Sequence, residues 1–231
     1  MAACRPRRYH AVMNVAPTRS SVIIPADGTS LEGDLVVPQG AGELVIFAHG
    51  SGSSRCSPRN RAVAERLQAA GIATLLMDLL TDIEGGMDEA SGEFRFDIGL
   101  LARRLDCASS FAMSYPETSG LRLGIFGAST GAAAALIAAS ERPERCGAVV
   151  SQGGRPDLAA DALDRVYAPA LLIVGGNDSP DVERWNRDAL ARLRGPRRLL
   201  VVPGAGHLFE EPGALEAVAD AAARWFAEYL R

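Results

Sequence analysis

The chain has 231 residues, 48% of them hydrophobic and 23% charged, and a formal net charge of −4. That length and apolar content bury a sizeable core and exclude disorder as the main theme, while the mild negative charge excludes the electrostatic footprint of a nucleic-acid or anionic-membrane binder. No apolar run reaches the roughly 18 residues needed to cross a bilayer.

Residues 1–20 carry Arg5, Arg7, Arg8 and His10 with no apolar stretch behind them. They are expected to form a loose tail rather than a secretory signal, with Met13 as an alternative start. Residues 21–231 are expected to fold as one domain. Residues 21–25 and 31–38 predict two strands around the turn Asp27-Gly28, an antiparallel hairpin. The continuous apolar run 44–48 predicts a strand buried on both faces. It ends in His49-Gly50-Ser51-Gly52-Ser53-Ser54. Val63, Leu67 and Ala70 sit at helical spacing, which predicts a helix over 60–70 closed by Gly71. A buried strand over 72–80, an acidic glycine-containing loop over 81–92 and a long amphipathic helix over 93–113 follow.

Strands are predicted over 121–126, 146–151, 170–174 and 199–202, and helices from the elbow described below to about 140, over 156–166, 182–193 and 214–230. The last helix stripes Leu215, Val218, Ala222, Trp225 and Tyr229 on one face. Regular alternation with short connections predicts an α/β fold with a mostly parallel, doubly wound sheet, and no connection is long enough for a cap domain.

One stretch carries the chemistry. The strand 121–126 ends in the apolar run Leu123-Gly124-Ile125-Phe126, which stops at Gly127-Ala128-Ser129-Thr130-Gly131, and an alanine-rich helix begins at once. A turn that sharp from strand to helix demands residues without bulk beside the serine, and the helix presents its free N–H groups and positive dipole end to charge developing at Ser129. The same glycines also suit a dinucleotide-binding turn. Such a turn normally opens the first βαβ unit, with an acid about 20 residues on; here it lies past mid-chain, and the strand 146–151 ends without an acid.

Ligands of such sheets bind at the carboxyl ends of the strands. Those ends carry Ser51, Asp78, Ser129, Ser151, Asp178 and His207. A serine nucleophile needs a base, and the base an orienting acid. Of the three histidines, His10 falls in the tail and His49 is expected to bond loop backbone, which leaves His207, between glycines on its loop. Asp178 is the expected acid, with Asp181 as its rival. Ser129, Asp178 and His207 stand in the chain order nucleophile, acid, base of acyl hydrolases. The backbone N–H groups of Thr130 and Ser51 are the expected oxyanion donors. Each residue taken singly also reads as an ordinary loop cap, and a binding protein that retains the constellation without turnover is an alternative. Arg55 and Arg155 are expected to flank the mouth, either favouring an anionic substrate or as solvated surface charge.

Cys4, Cys56, Cys107 and Cys146 are widely spaced, which argues against a disulfide framework or a metal site and fits a reducing cytoplasm. The expected partner is a small-molecule ester, with no nucleic acid, no membrane and no metal, and with room for a homodimer.

The loop His49-Gly50-Ser51-Gly52, the elbow Gly127-Ala128-Ser129-Thr130-Gly131, the strand end Gly175-Gly176-Asn177-Asp178 and the loop Gly204-Ala205-Gly206-His207-Leu208-Phe209 together resemble the α/β-hydrolase superfamily, specifically its dienelactone-hydrolase-like branch. The resemblance spans about residues 21–231. It implies an eight-stranded sheet and hydrolysis through an acyl-enzyme without a cofactor. Dienelactone hydrolases proper use a cysteine nucleophile where this chain has Ser129, so the resemblance points to small carboxylic esters rather than to dienelactone.

Overall fold

In the strand β3 (Glu43–Ala48), Val45 and Phe47 point to one side and Leu44, Ile46 and Ala48 to the other, and all are buried. A strand apolar on both faces must lie inside a sheet covered twice. The computed structural model describes residues 16–231 and shows that arrangement. The expectations for Cys4, His10 and Met13 lie outside the described residues.

The strands are β1 (Thr18–Ala26), β2 (Thr29–Val37), β3, β4 (Ala73–Met77), β5 (Arg122–Ala128), β6 (Ala148–Gln152), β7 (Ala170–Gly175) and β8 (Arg197–Val202). They form one eight-stranded sheet in the order β1-β2-β4-β3-β5-β6-β7-β8. β1 pairs antiparallel with β2, and β2 with β4; every other pairing is parallel. The hairpin starts at Thr18 rather than at residue 21, so residues 18–20 belong to the sheet and not to a tail. It turns at Asp27 and Gly28, both with positive φ.

Helices α1 (Pro58–Ala69) and α6 (Ala214–Tyr229) cover one face, where Val63, Leu67, Val218 and Phe226 pack on Val45, Phe47 and Phe126. Helices α3 (Ile98–Ser114) and α4 (Thr130–Glu141) cover the other face with α5 (Pro180–Arg192). α4 is buried almost all round, with Ala132, Ala133, Ala134 and Ala135 wholly inaccessible. Its alanines let it lie close to β5, because a larger side chain has no space there.

Two segments depart from expectation. Residues 81–92 form a helix, α2 (Asp82–Ser91), not a loop. Its interior Gly85 and Gly86 argue against helix, but a capping box overrides them: the Glu84 N–H donates to the Thr81 hydroxyl at 3.2 Å, and the Thr81 N–H to the Glu84 carboxylate at 2.7 Å. Buried Asp88 then accepts from the Arg95 backbone at 2.9 Å and side chain at 2.6 Å, which ties the end of α2 to the next turn. The long helix expected over 93–113 accordingly begins later: a 3-10 turn at Phe94–Phe96 precedes α3, and Asp97 caps α3 by accepting from the Leu100 N–H at 2.8 Å. Between β6 and β7, Pro156–Arg165 is 3-10 rather than α-helical, broken at Ala159.

Candidate active site

Ser129 stands between β5 and α4 with φ 51° and ψ −117°, a region that L-residues avoid. The surroundings leave the chain no alternative. A Cβ on Gly127 would lie 2.5 Å from the Ala132 Cα, and one on Gly131 would lie 2.3 Å from the Ala48 carbonyl oxygen. Only glycines let β5, α4 and the end of β3 approach that closely. The Ser129 N–H donates to the Gln152 carbonyl at 3.0 Å, and its own carbonyl accepts from Arg155 N–H at 3.2 Å, so the strained turn is anchored to the segment after β6.

Asp178 and His207 come together from the ends of β7 and β8. His207 Nδ1 lies 2.7 Å from Asp178 Oδ2. The Ser179 N–H donates to Asp178 Oδ1 at 2.6 Å. Both oxygens of a carboxylate whose side chain is only 4% exposed are therefore held. Asp181, the rival acid, lies in the first turn of α5, well exposed, and accepts from Arg184 at 2.6 Å, away from the imidazole. Ser129 and His207 line one cavity of about 270 Å³, with Gly50, Ser51, Asn60, Gln152 and Leu208 among its other walls. They share that cavity without a direct hydrogen bond between the hydroxyl and the ring among the described residues.

The loop after β3 faces this pair. His49 is buried, and its Nε2 accepts the Leu79 N–H at 3.0 Å while Nδ1 donates to the Gly50 carbonyl at 3.0 Å. Both bonds require the neutral ring, and burial pushes its pKa down from the ordinary histidine value. His49 therefore pins the loop to the segment after β4, a structural duty. Asp78 pins its far side by accepting the Arg55 N–H at 2.7 Å and pairing with the Arg55 guanidinium. Between the two pins, the N–H of Ser51 and the N–H of Thr130, first residue of α4, donate to no protein group among the described residues. The Ser51 and Thr130 hydroxyls lie 3.4 Å apart.

A second cavity of about 350 Å³ adjoins the first through Gly50, Ser51 and Ser53. Its walls include Thr130, Leu79, Leu80, Leu101 and, from α2, Gly85 and Gly86. Ser151, placed with the other strand ends by sequence, is wholly buried and reaches neither cavity. Neither Arg55 nor Arg155 offers a free charge: Arg55 pairs with Asp78 and Glu32, and Arg155 grips Asp157 at 2.7 and 2.9 Å and stacks 4.4 Å above the Trp185 ring. Sequence reasoning missed Gln152 and Asn60, since no local pattern marks an amide as facing a cavity.

Residues 40–231 match the profile of the dienelactone hydrolase family. The chain belongs to that family. A dienelactone hydrolase from Anabaena variabilis is 57% identical and superposes with a TM-score of 0.92, over 94% of this chain and all of that one. Est1E from Butyrivibrio proteoclasticus shares the fold, with a TM-score of 0.75 at 17% identity over 90% of this chain and 98% of its own. A Mycobacterium tuberculosis protein provisionally named a phosphoribosyl transferase is 52% identical over 209 residues, 90% of this chain. The chain spans 46% of that relative's length, about half. Family and fold are thus those of dienelactone hydrolases, with the eight strands and the N-terminal hairpin expected from sequence. Among the described residues no helix is long and apolar enough to cross a membrane, and no cluster of three or more histidine, cysteine or acidic side chains is arranged to hold a metal.

Proposed function

We propose that this family member is a serine hydrolase that cleaves small carboxylic esters in two steps through an acyl-enzyme. Ser129 attacks the ester carbonyl and loses its proton to His207. Asp178 holds the imidazole with Nε2 free for that proton and stabilises the imidazolium formed. The N–H groups of Ser51 and Thr130 receive the oxyanion, aided by the α4 dipole. His207 then protonates the departing alcohol, and a water activated by the same ring releases the acid. The 2.7 Å bond between His207 and Asp178, made in the wall of the cavity that holds the strained Ser129, carries this reading.

The transferase name belongs to relatives of which this chain covers under half. A non-catalytic binding role explains the strain at Ser129 less well, because backbone strain is retained where it serves a function. The proposal takes a small-molecule ester as the partner, and keeps the cytoplasm as the location and a homodimer as an open assembly.

A fluorophosphonate probe tests it. The probe should add once, on the peptide containing Ser129, with loss of p-nitrophenyl acetate turnover, and should not label Ser129→Ala. Labelling elsewhere with parallel loss of activity would overturn the assignment.

A further inference from the structure

The cavity that holds Ser129 and His207 is lined by two side-chain amides, and the buried oxygen of one has no protein partner among the described residues. Gln152, the last residue of β6, is 6% exposed, and its Oε1 has no hydrogen-bond partner among the described residues. Asn60, in the first turn of α1, is 5% exposed. Its backbone N–H donates to the Ser57 hydroxyl at 3.3 Å, and the residue lines the same cavity. Buried amide oxygens are ordinarily satisfied, so the orphaned Gln152 Oε1, with the Asn60 amide in the same cavity wall as Ser129, points to a ligand that supplies what the protein does not. Arg59 on the rim is paired with Glu210 at 3.2 Å, so the pair of amides, not an open cationic site, marks this wall.

Which part of the substrate meets these amides follows from His207. In the hydrolysis proposed above, on which this inference rests, the acyl C–O bond breaks and the leaving oxygen takes its proton from His207; water supplies the hydroxyl of the acid. The leaving alcohol therefore lies on the His207 side, in the cavity with Gln152 and Asn60. The acyl group extends past the Ser51 and Thr130 donors into the second cavity, against Leu79, Leu80 and Leu101.

We propose that Gln152 and Asn60 form a leaving-group subsite that selects alcohols bearing further hydroxyl groups, so that the preferred esters are those of polyols. A hydroxyl both donates and accepts, and it satisfies an amide whichever way the amide is turned. An alkyl alcohol of the same size leaves the Gln152 oxygen unpaired.

The test compares glyceryl monoacetate with propyl acetate, which share the acyl group and the carbon count of the alcohol. Wild type should favour the glyceryl ester by about tenfold or more in kcat/KM, since a site built to bond a hydroxyl rejects the analogue that lacks it. Gln152→Met should bring the ratio close to one, whereas Gln152→Glu, which keeps an acceptor, should retain most of it. Asn60→Ala should lower the ratio as well, and it decides the matter if Gln152→Met does not fold. A wild-type ratio near one, or an unchanged ratio in folded Gln152→Met and Asn60→Ala, overturns the subsite. Failure of wild type to hydrolyse even p-nitrophenyl acetate, or full activity in Ser129→Ala, overturns the ester-hydrolase reading and the subsite with it.

Discussion

Asp178 and His207 are joined at 2.7 Å although 28 residues, a helix and a strand separate them in the chain. The carboxylate is nearly sealed from solvent and also holds the Ser179 N–H, so it has one orientation to offer, and the ring takes the tautomer that suits it. Removing the charge leaves the ring free to turn over. Asp178→Asn should therefore lower kcat by roughly 10³–10⁴-fold, and Ser129→Ala and His207→Ala by about 10⁴-fold or more. The Ser129→Ala, His207→Ala double variant should be little worse than either single one. Multiplicative losses, measured with p-nitrophenyl acetate, would show that the two residues act apart.

In the proposed mechanism the space around Thr130 limits the length of the acyl chain. The second cavity is about 350 Å³, walled by α2 and carrying Asp78, Asp82 and Glu89 beside its leucines. Each methylene gains only about 0.8 kcal/mol from burial, and only where apolar surface remains. kcat/KM should peak at acetyl to butyryl esters and fall beyond roughly six carbons. A p-nitrophenyl ester series to palmitate, run below and above micelle formation, checks this; a maximum at long chains or a jump at the micelle would contradict it.

α2 carries two glycines in its interior, and a Cβ at Gly85 or Gly86 would meet nothing within 4 Å. Alanine at either position should stabilise the fold by about 0.5–1 kcal/mol, read from urea unfolding, if glycine's cost in a helix is the sole effect. A loss of stability would mean that α2 needs backbone freedom there. Gly131→Ala is the opposite case. Its Cβ would sit 2.3 Å from the Ala48 carbonyl oxygen, so destabilisation of at least about 1–3 kcal/mol is expected.

His49 makes the stability depend on pH. Burial lowers its pKa in the fold, while the unfolded chain keeps the ordinary histidine value of 6.5. Between those two values the unfolded state binds more protons, so stability is full above 6.5 and declines as pH falls below it. Melting temperatures from pH 7.5 to 5 should drop for wild type and drop less for His49→Gln, which starts lower. Equal slopes in the two proteins would remove His49 from the acid response.

Cysteine chemistry should be silent in catalysis. Cys146 is buried, with its thiol pushed up to about 12. Cys56 is exposed, with its sulfur 3.5 Å from the Arg61 guanidinium. Iodoacetamide should therefore modify Cys56 in the folded protein and Cys146 only after unfolding. Cys56→Ser should keep its ester turnover. An inactive but folded Cys56→Ser would reopen the choice of nucleophile.

Much of the fold is written locally. The apolar runs at 44–48, 123–126 and 170–174 specify strands buried on both faces, because no residue there is polar whichever side it meets. Gly127-x-Ser129-x-Gly131 specifies the turn for the same reason: steric demand is a property of neighbours in the chain. The helix at 82–91 was hidden, since two glycines speak against it and only the Thr81–Glu84 box speaks for it.

What the sequence could not contain is proximity across the sheet. The sequence favours Asp178 over Asp181 but leaves the rival open; only the turn after β7 aims one at His207 and leaves the other to Arg184 on its own helix. Arg55 and Arg155 look like free charges near a mouth until Asp78 and Asp157 are placed against them. Gln152 and Asn60 carry no motif at all, and they become candidates because β6 and α1, distant in the chain, bring two amides, one with an unpartnered buried oxygen, to one cavity. The residue types at the strand ends came from the sequence, and their partners came from the packing of elements far apart in it, because hydrogen bonds and ion pairs depend on distance in space and not on distance along the chain.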